Sequence, residues 1–186
     1  TALISNLNIR YHADQITTKI GLDVLRDIKA TNNRITAGTS VHHLLFNELD
    51  IGNYRTFFKL KPPLRSNADR EALTEAIREG LIDNICSMHT PQDEESKRLP
   101  FEEAAPGAVG LETILPASLS LYHNKILSLN QLFRLLALNP ANIIKKSLGC
   151  LDEGQPADLI IFDPDKPMKI DPVSYTHLRA HETRGN

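Results

Sequence analysis

The stretch of sequence that decides the fold is Ile82-Asp83-Asn84-Ile85-Cys86-Ser87-Met88-His89-Thr90-Pro91-Gln92-Asp93. A short, largely apolar run ends there abruptly in polar residues and a proline. A buried strand of a β/α-barrel ends in this way at the carboxyl-terminal mouth, where such folds place their chemistry. The stretch therefore predicts a buried strand followed by a loop that carries functional side chains.

Strand-like and helix-like segments alternate upstream of this strand. Leu7 to Ala13 predicts a first strand, and Ile16 to Ala30 predicts a helix because its apolar residues recur at helical spacing. Ile35 to Leu45 predicts a second strand, and Ser66 to Gly80 a second helix with acidic residues in its first turn. With Leu81 to Met88 as the third strand, the βαβαβ order favours an α/β fold with adjacent parallel strands and helices outside.

Three further helices are predicted after the strand-end loop. Val109 to Tyr122 has a helical apolar pattern. A second helix begins at Ser128, because Ser128 and Gln131 have the spacing of a capping box. A third is predicted to begin at Asn139, as the capping residue, with Pro140 at the first helical position.

The character of the sequence changes after residue 147, which divides the chain into three parts. Residues 1–147 carry the alternating α/β pattern, and residues 148–172 predict two short strands joined by a turn. Residues 173–186 have no apolar period, so we interpret them as a non-native or disordered tail and exclude its two histidines from the search for a site.

Size and composition limit the classes of function. The chain has 186 residues, fewer than the about 250 of a complete (β/α)8 barrel. A net charge of −2 provides no field that attracts nucleic acid or an anionic membrane, and no apolar run approaches the about 20 residues that span a bilayer.

The first residues lack a signal-peptide pattern and an initiator methionine, so we expect a cytoplasmic chain that begins in mid-domain. Cys86 and Cys150 are expected to be thiols.

Three segments taken together resemble one enzyme family. They are Lys61-Pro62-Pro63-Leu64-Arg65-Ser66, the strand-end stretch around Met88-His89, and Gly107-Ala108-Val109-Gly110-Leu111-Glu112-Thr113. In combination they resemble the dihydroorotases, which are cyclic amidohydrolases of the amidohydrolase superfamily. The resemblance covers residues 7 to about 172 but only the carboxyl-terminal half of the family. It implies strands six to eight of a TIM-type (β/α)8 barrel, with residues 148–172 as the start of the small β-sandwich that flanks it.

The family resemblance implies a reaction and a cofactor. Dihydroorotases hydrolyse dihydroorotate reversibly to carbamoyl aspartate in de novo pyrimidine biosynthesis. One or two divalent metal ions lower the pKa of a bound water from about 15.7 to near 7. The resemblance implies zinc as this metal. His12 resembles the metal-binding histidine that ends strand six, and neutral imidazole suits zinc. From the residues alone, a structural histidine remains an alternative.

Four residues are predicted by the resemblance to contact the substrate. Lys61 precedes two prolines that stiffen a loop of the pocket, and it would either pair with a substrate carboxylate or face solvent. Gln92 stands where many family members have a substrate-contacting histidine. Backbone groups at Pro106 and Gly107 match further substrate contacts.

Met88 stands where the family has its catalytic aspartate. That aspartate binds the metal-hydroxide unit and carries its proton to the leaving nitrogen, whereas a thioether neither transfers protons nor binds zinc well. The ligands of the family's earlier strands have no counterpart before Leu7. We therefore expect this chain alone to be inactive and to bind zinc weakly or not at all. We also expect the strand ends to bring His12, Lys61 and Met88 to one face.

Two alternative functions remain open from the sequence. A non-catalytic dihydroorotase-like scaffold for aspartate transcarbamoylase would suit Met88. An allantoinase or hydantoinase would share the metal centre and the segment Pro62-Pro63-Leu64-Arg65. The expected partners are a small-molecule substrate and either a second copy of the chain or aspartate transcarbamoylase, with neither nucleic acid nor a membrane.

Overall fold

Three short parallel strands form the sheet of the computed structural model, which describes residues 9–167. They lie side by side in chain order, as β1 (Tyr11–Ala13), β2 (Ile35–Ser40) and β3 (Asn84–Cys86). His12 lies opposite Thr36, and Ser40 lies opposite Cys86. The predicted parallel βαβαβ order is confirmed. The first two residues of the first predicted strand (7 and 8), residues 168–172 of the segment predicted to form two short strands, and the tail at 173–186 lie outside the described residues.

Seven α-helices and two short 3-10 helices surround the sheet within the described residues. The α-helices are α1 (Lys19–Thr31), α2 (Val41–Leu45), α3 (Asn67–Arg78), α4 (Glu94–Arg98), α5 (Ile114–His123), α6 (Leu129–Phe133) and α7 (Asn139–Ile143). The 3-10 helices are Glu48–Ile51 and Thr56–Phe58. Side chains satisfy the free amides at several helix starts: Thr18 accepts from Gly21 at 3.1 Å, and Ser128 forms the predicted capping box with Gln131. No helix in residues 9–167 is long and apolar enough to span a membrane.

Three local predictions from the sequence are wrong. The second strand stops at Ser40, because the Ser40 side chain caps the amide of His43 and turns Val41–Leu45 into α2. Asn139 is not a helix cap, since a π-helix at Arg134–Leu138 joins α6 to α7 without a break. The two short strands expected after residue 147 do not form within residues 148–167, where no partner strand pairs with them.

The core lies between one face of the sheet and the helices. Ile35 and Ala37 of β2 point into it, while the alternate residue Thr36 faces the other side with His12. The buried apolar side chains that fill it come mainly from α1, α2, α3, α5 and α6, and include Leu22, Leu25, Leu44, Leu73, Ile77, Leu119, Leu121 and Leu132. Burial of each large apolar side chain stabilises the fold by about 1.5–3 kcal/mol, so the helices hold the sheet from this side.

Asp83 fastens the lower end of the sheet just before β3. Its backbone amide donates to the Ala37 carbonyl at 2.7 Å, and its carboxylate accepts from the Ala37 amide at 2.6 Å. The same carboxylate oxygen accepts from Lys29 of α1 at 2.6 Å. Asn139 donates to the Asp83 carbonyl at 2.8 Å, which explains why its side chain does not cap α7. One residue thus connects β2, α1 and the helical segment after α6.

The first prediction concerns this connection. Asp83→Ala is expected to lower the free energy of unfolding by about 1–3 kcal/mol, because it leaves the amide of the buried Ala37 without its acceptor and leaves the Lys29 ammonium with the Leu81 carbonyl alone. Asp23→Ala is the matched control: Asp23 pairs with Arg26 at 3.2 Å on the exposed side of α1, and its loss should cost at most about 1 kcal/mol. Urea unfolding of both variants measures the difference. Equal, small changes in the two variants would show that Asp83 does not fasten the sheet.

Candidate functional site

A residue shortly after each of the three strands lies at the carboxyl-terminal edge of the sheet, and two of these residues, Gln15 and Met88, are in contact. Gln15 follows β1, His42 follows β2 and Met88 follows β3. The Gln15 amide donates to the Met88 thioether. Gln15 Oε1 and His42 Nε2 are buried, and neither has a hydrogen-bond partner within the described part of the chain. Ligands of open parallel sheets bind at this edge, so we call Gln15, His42 and Met88 the strand-end cluster.

Met88 has an unfavourable backbone conformation for its side chain. Its φ of 45° lies in the left-handed region. Asparagine and aspartate are several-fold enriched there, because a short polar side chain can bond locally to the backbone, and methionine has no such group. The local backbone therefore suits an aspartate at position 88 better than the residue it carries.

His12 is not part of the strand-end cluster. It lies within β1, opposite Thr36, and its Nδ1 is 2.8 Å from Thr36 Oγ1. Thr36 lies four residues before Ser40 in β2, and Ser40 is opposite Cys86 in β3. At about 3.3 Å per residue, His12 therefore lies about 13 Å before the end of the sheet that Ser40 and Cys86 mark. The structure thus brings Gln15 next to Met88, and does not bring His12 there.

The residues of the strand-end cluster do not fit zinc. Zinc in proteins is bound by several thiolate, imidazole and carboxylate groups together, whereas this cluster offers one imidazole, from His42, beside the carboxamide of Gln15 and the thioether of Met88. Across residues 9–167 no group of three or more histidine, cysteine, aspartate or glutamate side chains could hold a metal ion. The role of His12 as a metal ligand therefore stays a prediction without a supporting donor set in this part of the chain.

Two of the predicted substrate-binding residues do meet. A Cβ on Gly107 would lie 3.1 Å from the Gln92 side-chain nitrogen and 2.9 Å from Thr90 Oγ1, at a φ of 145° that side chains rarely adopt. The Gly107 amide donates to the Lys59 carbonyl at 2.9 Å. Pro106 beside it is exposed, as is Lys61, which precedes a cis Lys61-Pro62 bond. Gln92 and Gly107 thus face each other next to the loop that carries Lys61.

His89 anchors the segment after Gly107, a role that the sequence analysis missed. Its Nδ1 accepts from the amides of Gly110 at 3.1 Å and Leu111 at 3.2 Å, so the ring hydrogen sits on Nε2. Backbone bonding between Thr90 and Ala108, at 2.9 Å, continues the same contact. The imidazole thus fixes the backbone of the segment after Gly107.

His42 and His43 are buried at the start of α2. Burial lowers the pKa of both imidazoles; for His42 the neighbouring His43 lowers it further. His43 Nε2 donates to the Pro63 carbonyl at 3.2 Å, and its Nδ1 accepts from the Ser40 hydroxyl at 2.9 Å. His43 therefore connects α2 to the proline loop. The Nε2 atom of His42 lies beside Gly110 and has no hydrogen-bond partner within residues 9–167.

Cys86 lies on β3 but is not a nucleophile in this environment. Burial, together with the nearby Asp14, raises the pKa of its thiol to about 11. The thiol donates to the Thr39 carbonyl at 3.3 Å. Only a thiolate attacks efficiently, so the protonated form excludes covalent catalysis by this residue at neutral pH. Cys86 and Cys150 are not joined in a disulfide.

Comparison with known proteins identifies the family of this chain. A sequence model described as the amidohydrolase family matches residues 9–184. The chain belongs to the amidohydrolase family. Among similar proteins, the dihydroorotase of Ehrlichia canis is 39% identical over 175 residues, and that of Aquifex aeolicus is 40% identical over 155 residues. These alignments cover 94% and 83% of this amidohydrolase chain, but 39% and 36% of the relatives, so the chain spans about two-fifths of their length.

Solved structures give the same family assignment from the fold. The L-hydantoinase (dihydropyrimidinase) from Arthrobacter aurescens superposes with a TM-score of 0.84 at 28% identity, covering 91% of this amidohydrolase chain and 39% of that protein. The dihydropyrimidinase from Brevibacillus agri superposes with a TM-score of 0.75 over 84% of this chain and 36% of that protein. At 17% identity the second comparison supports the fold alone.

The second prediction concerns Gly107 in this amidohydrolase. Gly107→Ala is expected to lower the free energy of unfolding by about 1–3 kcal/mol, because its φ is open essentially to glycine and the new methyl group meets Thr90. Gly80→Ala is the matched control: its φ is also positive, at 77°, but nothing lies within 4 Å of the added Cβ. Chemical denaturation compares the two. A larger loss for Gly80→Ala would contradict a close approach at Gly107.

The third prediction concerns pH. Because burial lowers the pKa of His42 and His43, the unfolded chain binds protons more readily than the folded one below about pH 6.5. The free energy of unfolding should therefore fall as the pH drops from 7.5 to 5.5, by at most about 1.4 kcal/mol per pH unit for each imidazole.

Urea unfolding across this pH range measures the slope. The double variant His42→Gln, His43→Gln should flatten it if the variant still folds, and His123→Gln, which removes an exposed ring and keeps both buried ones, should retain it. A wild-type slope in the folded double variant would assign the pH dependence to other groups.

Proposed function

We propose that this chain is the carboxyl-terminal part of a dihydroorotase-like cyclic amidohydrolase. It would contribute strands six to eight of a TIM-type (β/α)8 barrel through residues 1–147 and the start of the flanking β-sandwich through residues 148–172. Residues 173–186 would be a tail outside this fold. The parallel sheet, and relatives named dihydroorotase at about 40% identity, support this assignment.

The proposed reaction is the reversible hydrolysis of dihydroorotate to carbamoyl aspartate, in the cytoplasm. Water adds to the ring amide carbonyl, the carbon–nitrogen bond breaks, and the leaving nitrogen takes up a proton. The observation that carries the proposal is the meeting of Gln92 with Gly107, two residues expected to contact the substrate, beside the Lys61 loop. A pocket for a small polar ring needs such converging polar groups.

Each substrate-binding residue has a distinct part in this proposal. The Lys61 ammonium would pair with the substrate carboxylate, and the Gln92 amide would bond to the ring. Pro106 has no amide hydrogen, and the Gly107 amide is already donated to Lys59, so the carbonyl groups of these two residues remain for the substrate. The assignment gives the pocket one cation, one amide and two acceptors.

Position 88 determines whether the chain can act as a catalyst. In dihydroorotases a bound divalent metal supplies hydroxide at neutral pH. The strand-end cluster of this chain holds one imidazole, His42, and no carboxylate, and the Met88 thioether neither binds zinc well nor returns a proton. We propose that the chain alone does not turn over substrate and binds zinc weakly. In the whole protein it would act as a homodimer or with aspartate transcarbamoylase.

Two other functions have an observation in their favour. The likeness to the L-hydantoinase supports a hydantoinase-type enzyme, which would open a cyclic amide without a carboxylate and would have no use for the Lys61 cation. Met88 supports a non-catalytic scaffold for aspartate transcarbamoylase. Comparing activity on dihydroorotate with activity on hydantoin distinguishes a dihydroorotase from a hydantoinase. The effect of substituting residue 88 on turnover distinguishes an enzyme from a non-catalytic scaffold.

The fourth prediction tests this proposal at position 88. The 186-residue chain should show no dihydroorotate turnover and weak zinc uptake by calorimetric titration. In a protein that joins this chain to the preceding barrel strands, Met88→Asp should raise turnover by about 100-fold or more, because the carboxylate restores the proton carrier. Met88→Leu is the matched control, since it changes the side chain without adding an acid.

Each outcome separates the candidates. Fast dihydroorotate turnover by the joined protein that keeps Met88 would contradict the assignment of position 88. Preference of the Met88→Asp protein for hydantoin would identify a hydantoinase. A Met88→Asp protein that binds zinc, stays inactive and still raises the activity of aspartate transcarbamoylase would identify the scaffold.

A further inference from the structure

Lys97 is a buried lysine in the segment between Gln92 and Gly107. Only 5% of its surface is exposed, although lysine is almost never fully buried in proteins. It lies in α4, and its ammonium group donates to the carbonyl of Thr56 at 3.0 Å and to that of Lys59 at 3.4 Å. Both acceptors belong to the loop that leads into Lys61.

The contact between Lys97 and this loop is reciprocal. The Thr56 hydroxyl donates to the Lys97 carbonyl, so each residue binds the other's backbone. The Lys59 carbonyl also accepts from the Gly107 amide at 2.9 Å, so it receives hydrogen bonds from both ends of the 97–107 segment. The Lys59 ammonium in turn donates to the Phe101 carbonyl at 2.6 Å and the Glu102 carbonyl at 2.9 Å. Together these bonds fasten the loop at residues 56–59 to the segment at residues 97–107.

A charged group at the centre of this contact is not needed for packing alone. Burial lowers the pKa of Lys97, and the nearby Lys59 lowers it further, so the surroundings disfavour the charged form of this side chain. An ammonium group on a flexible stem carries three donors, and few other side chains could reach two carbonyl groups of the same loop from inside the protein. The donors, and not the apolar stem, therefore explain a lysine at this position.

We propose that Lys97 is a positioning residue that fixes the Lys61 loop relative to Gln92 and Gly107 and so sets the affinity for substrate, an inference that rests on the function proposed above. The helix that carries Lys97 begins directly after Gln92, where the Asp93 carboxylate caps the Ser96 amide at 2.7 Å. The ammonium thus holds the Lys61 side of the pocket at a fixed distance from the Gln92 side.

The fifth prediction tests the contact by amide hydrogen exchange in the 186-residue chain. Lys97→Met keeps the length of the stem and removes the donors, so the amides of Gly107 and Lys59 should exchange about tenfold faster. The Leu22 amide, in α1, should exchange as in the wild type. Lys97→Arg should restore part of the protection because it keeps a cation with several donors. Lys146→Met, which removes an exposed lysine, is the matched control.

A second measurement links the contact to affinity. In the active protein that carries Met88→Asp and the preceding strands, Lys97→Met should raise KM for dihydroorotate about tenfold with kcat little changed, because the residue is remote from the reacting atoms. The exchange measurement needs no turnover, so it tests Lys97 even if the proposed function fails. An unchanged KM together with faster exchange would overturn the link to affinity.

The outcome that overturns the contact itself is wild-type exchange at Gly107 and Lys59 in a folded Lys97→Met variant. If Lys97→Met does not fold, Lys97→Gln takes its place, since a shorter neutral amide can reach one carbonyl at most. An intermediate increase in exchange at the same two amides is then expected. Wild-type protection in Lys97→Gln would overturn the proposal equally.

Discussion

The pairing of Asp83 with Ala37 is the constraint on which the rest of the structure depends. The Asp83 backbone donates to Ala37, and its carboxylate replaces the backbone acceptor that the Ala37 amide would otherwise lack. This fixes the register between β2 and β3, because a slip by one residue would also turn every side chain to the opposite face. That register determines which residues reach the carboxyl-terminal edge of the sheet, and it therefore determines which residues form the candidate site.

Two groups of residues meet at that edge, and they differ in how far they keep what the dihydroorotase resemblance implies. Around Gln92, Gly107 and Lys59, loop and helix are fastened by backbone hydrogen bonds and by two lysines that bind carbonyl groups. In the strand-end cluster, the Gln15 carboxamide contacts the Met88 thioether, and Gln15 Oε1 and His42 Nε2 have no hydrogen-bond partner in the part of the chain that the structure describes. The loops expected to contact a substrate are therefore joined by hydrogen bonds, whereas the position expected to carry the catalytic aspartate holds a methionine.

The sequence predicted the parallel sheet because alternating patterns of apolar residues report which face is buried, and burial decides strand order in βαβ units. It missed α2, because the apolar run Val41 to Leu45 does not report that the Ser40 hydroxyl accepts from the His43 amide and so starts a helix there. It placed His12 at the end of the first strand, which ends one residue later at Ala13, but it did not predict that Gln15, two residues beyond the strand, contacts Met88. Contacts such as those of Lys97 and His89 join residues distant in the chain, and no local pattern reports them.

The unpaired segment after α7 has a consequence for the chain in solution. Leu159, Ile160 and Ile161 are exposed, yet Phe162 packs edge-on against Phe133 at 6.0 Å, and His123 contacts the Pro164 carbonyl at 3.1 Å. These contacts hold one end of a β-prone apolar run at the surface, where its backbone groups have no strand partner within residues 9–167. Such a run is a template for strands of other molecules, so concentrated solutions of this chain will favour intermolecular β-aggregates unless a neighbouring strand covers it first.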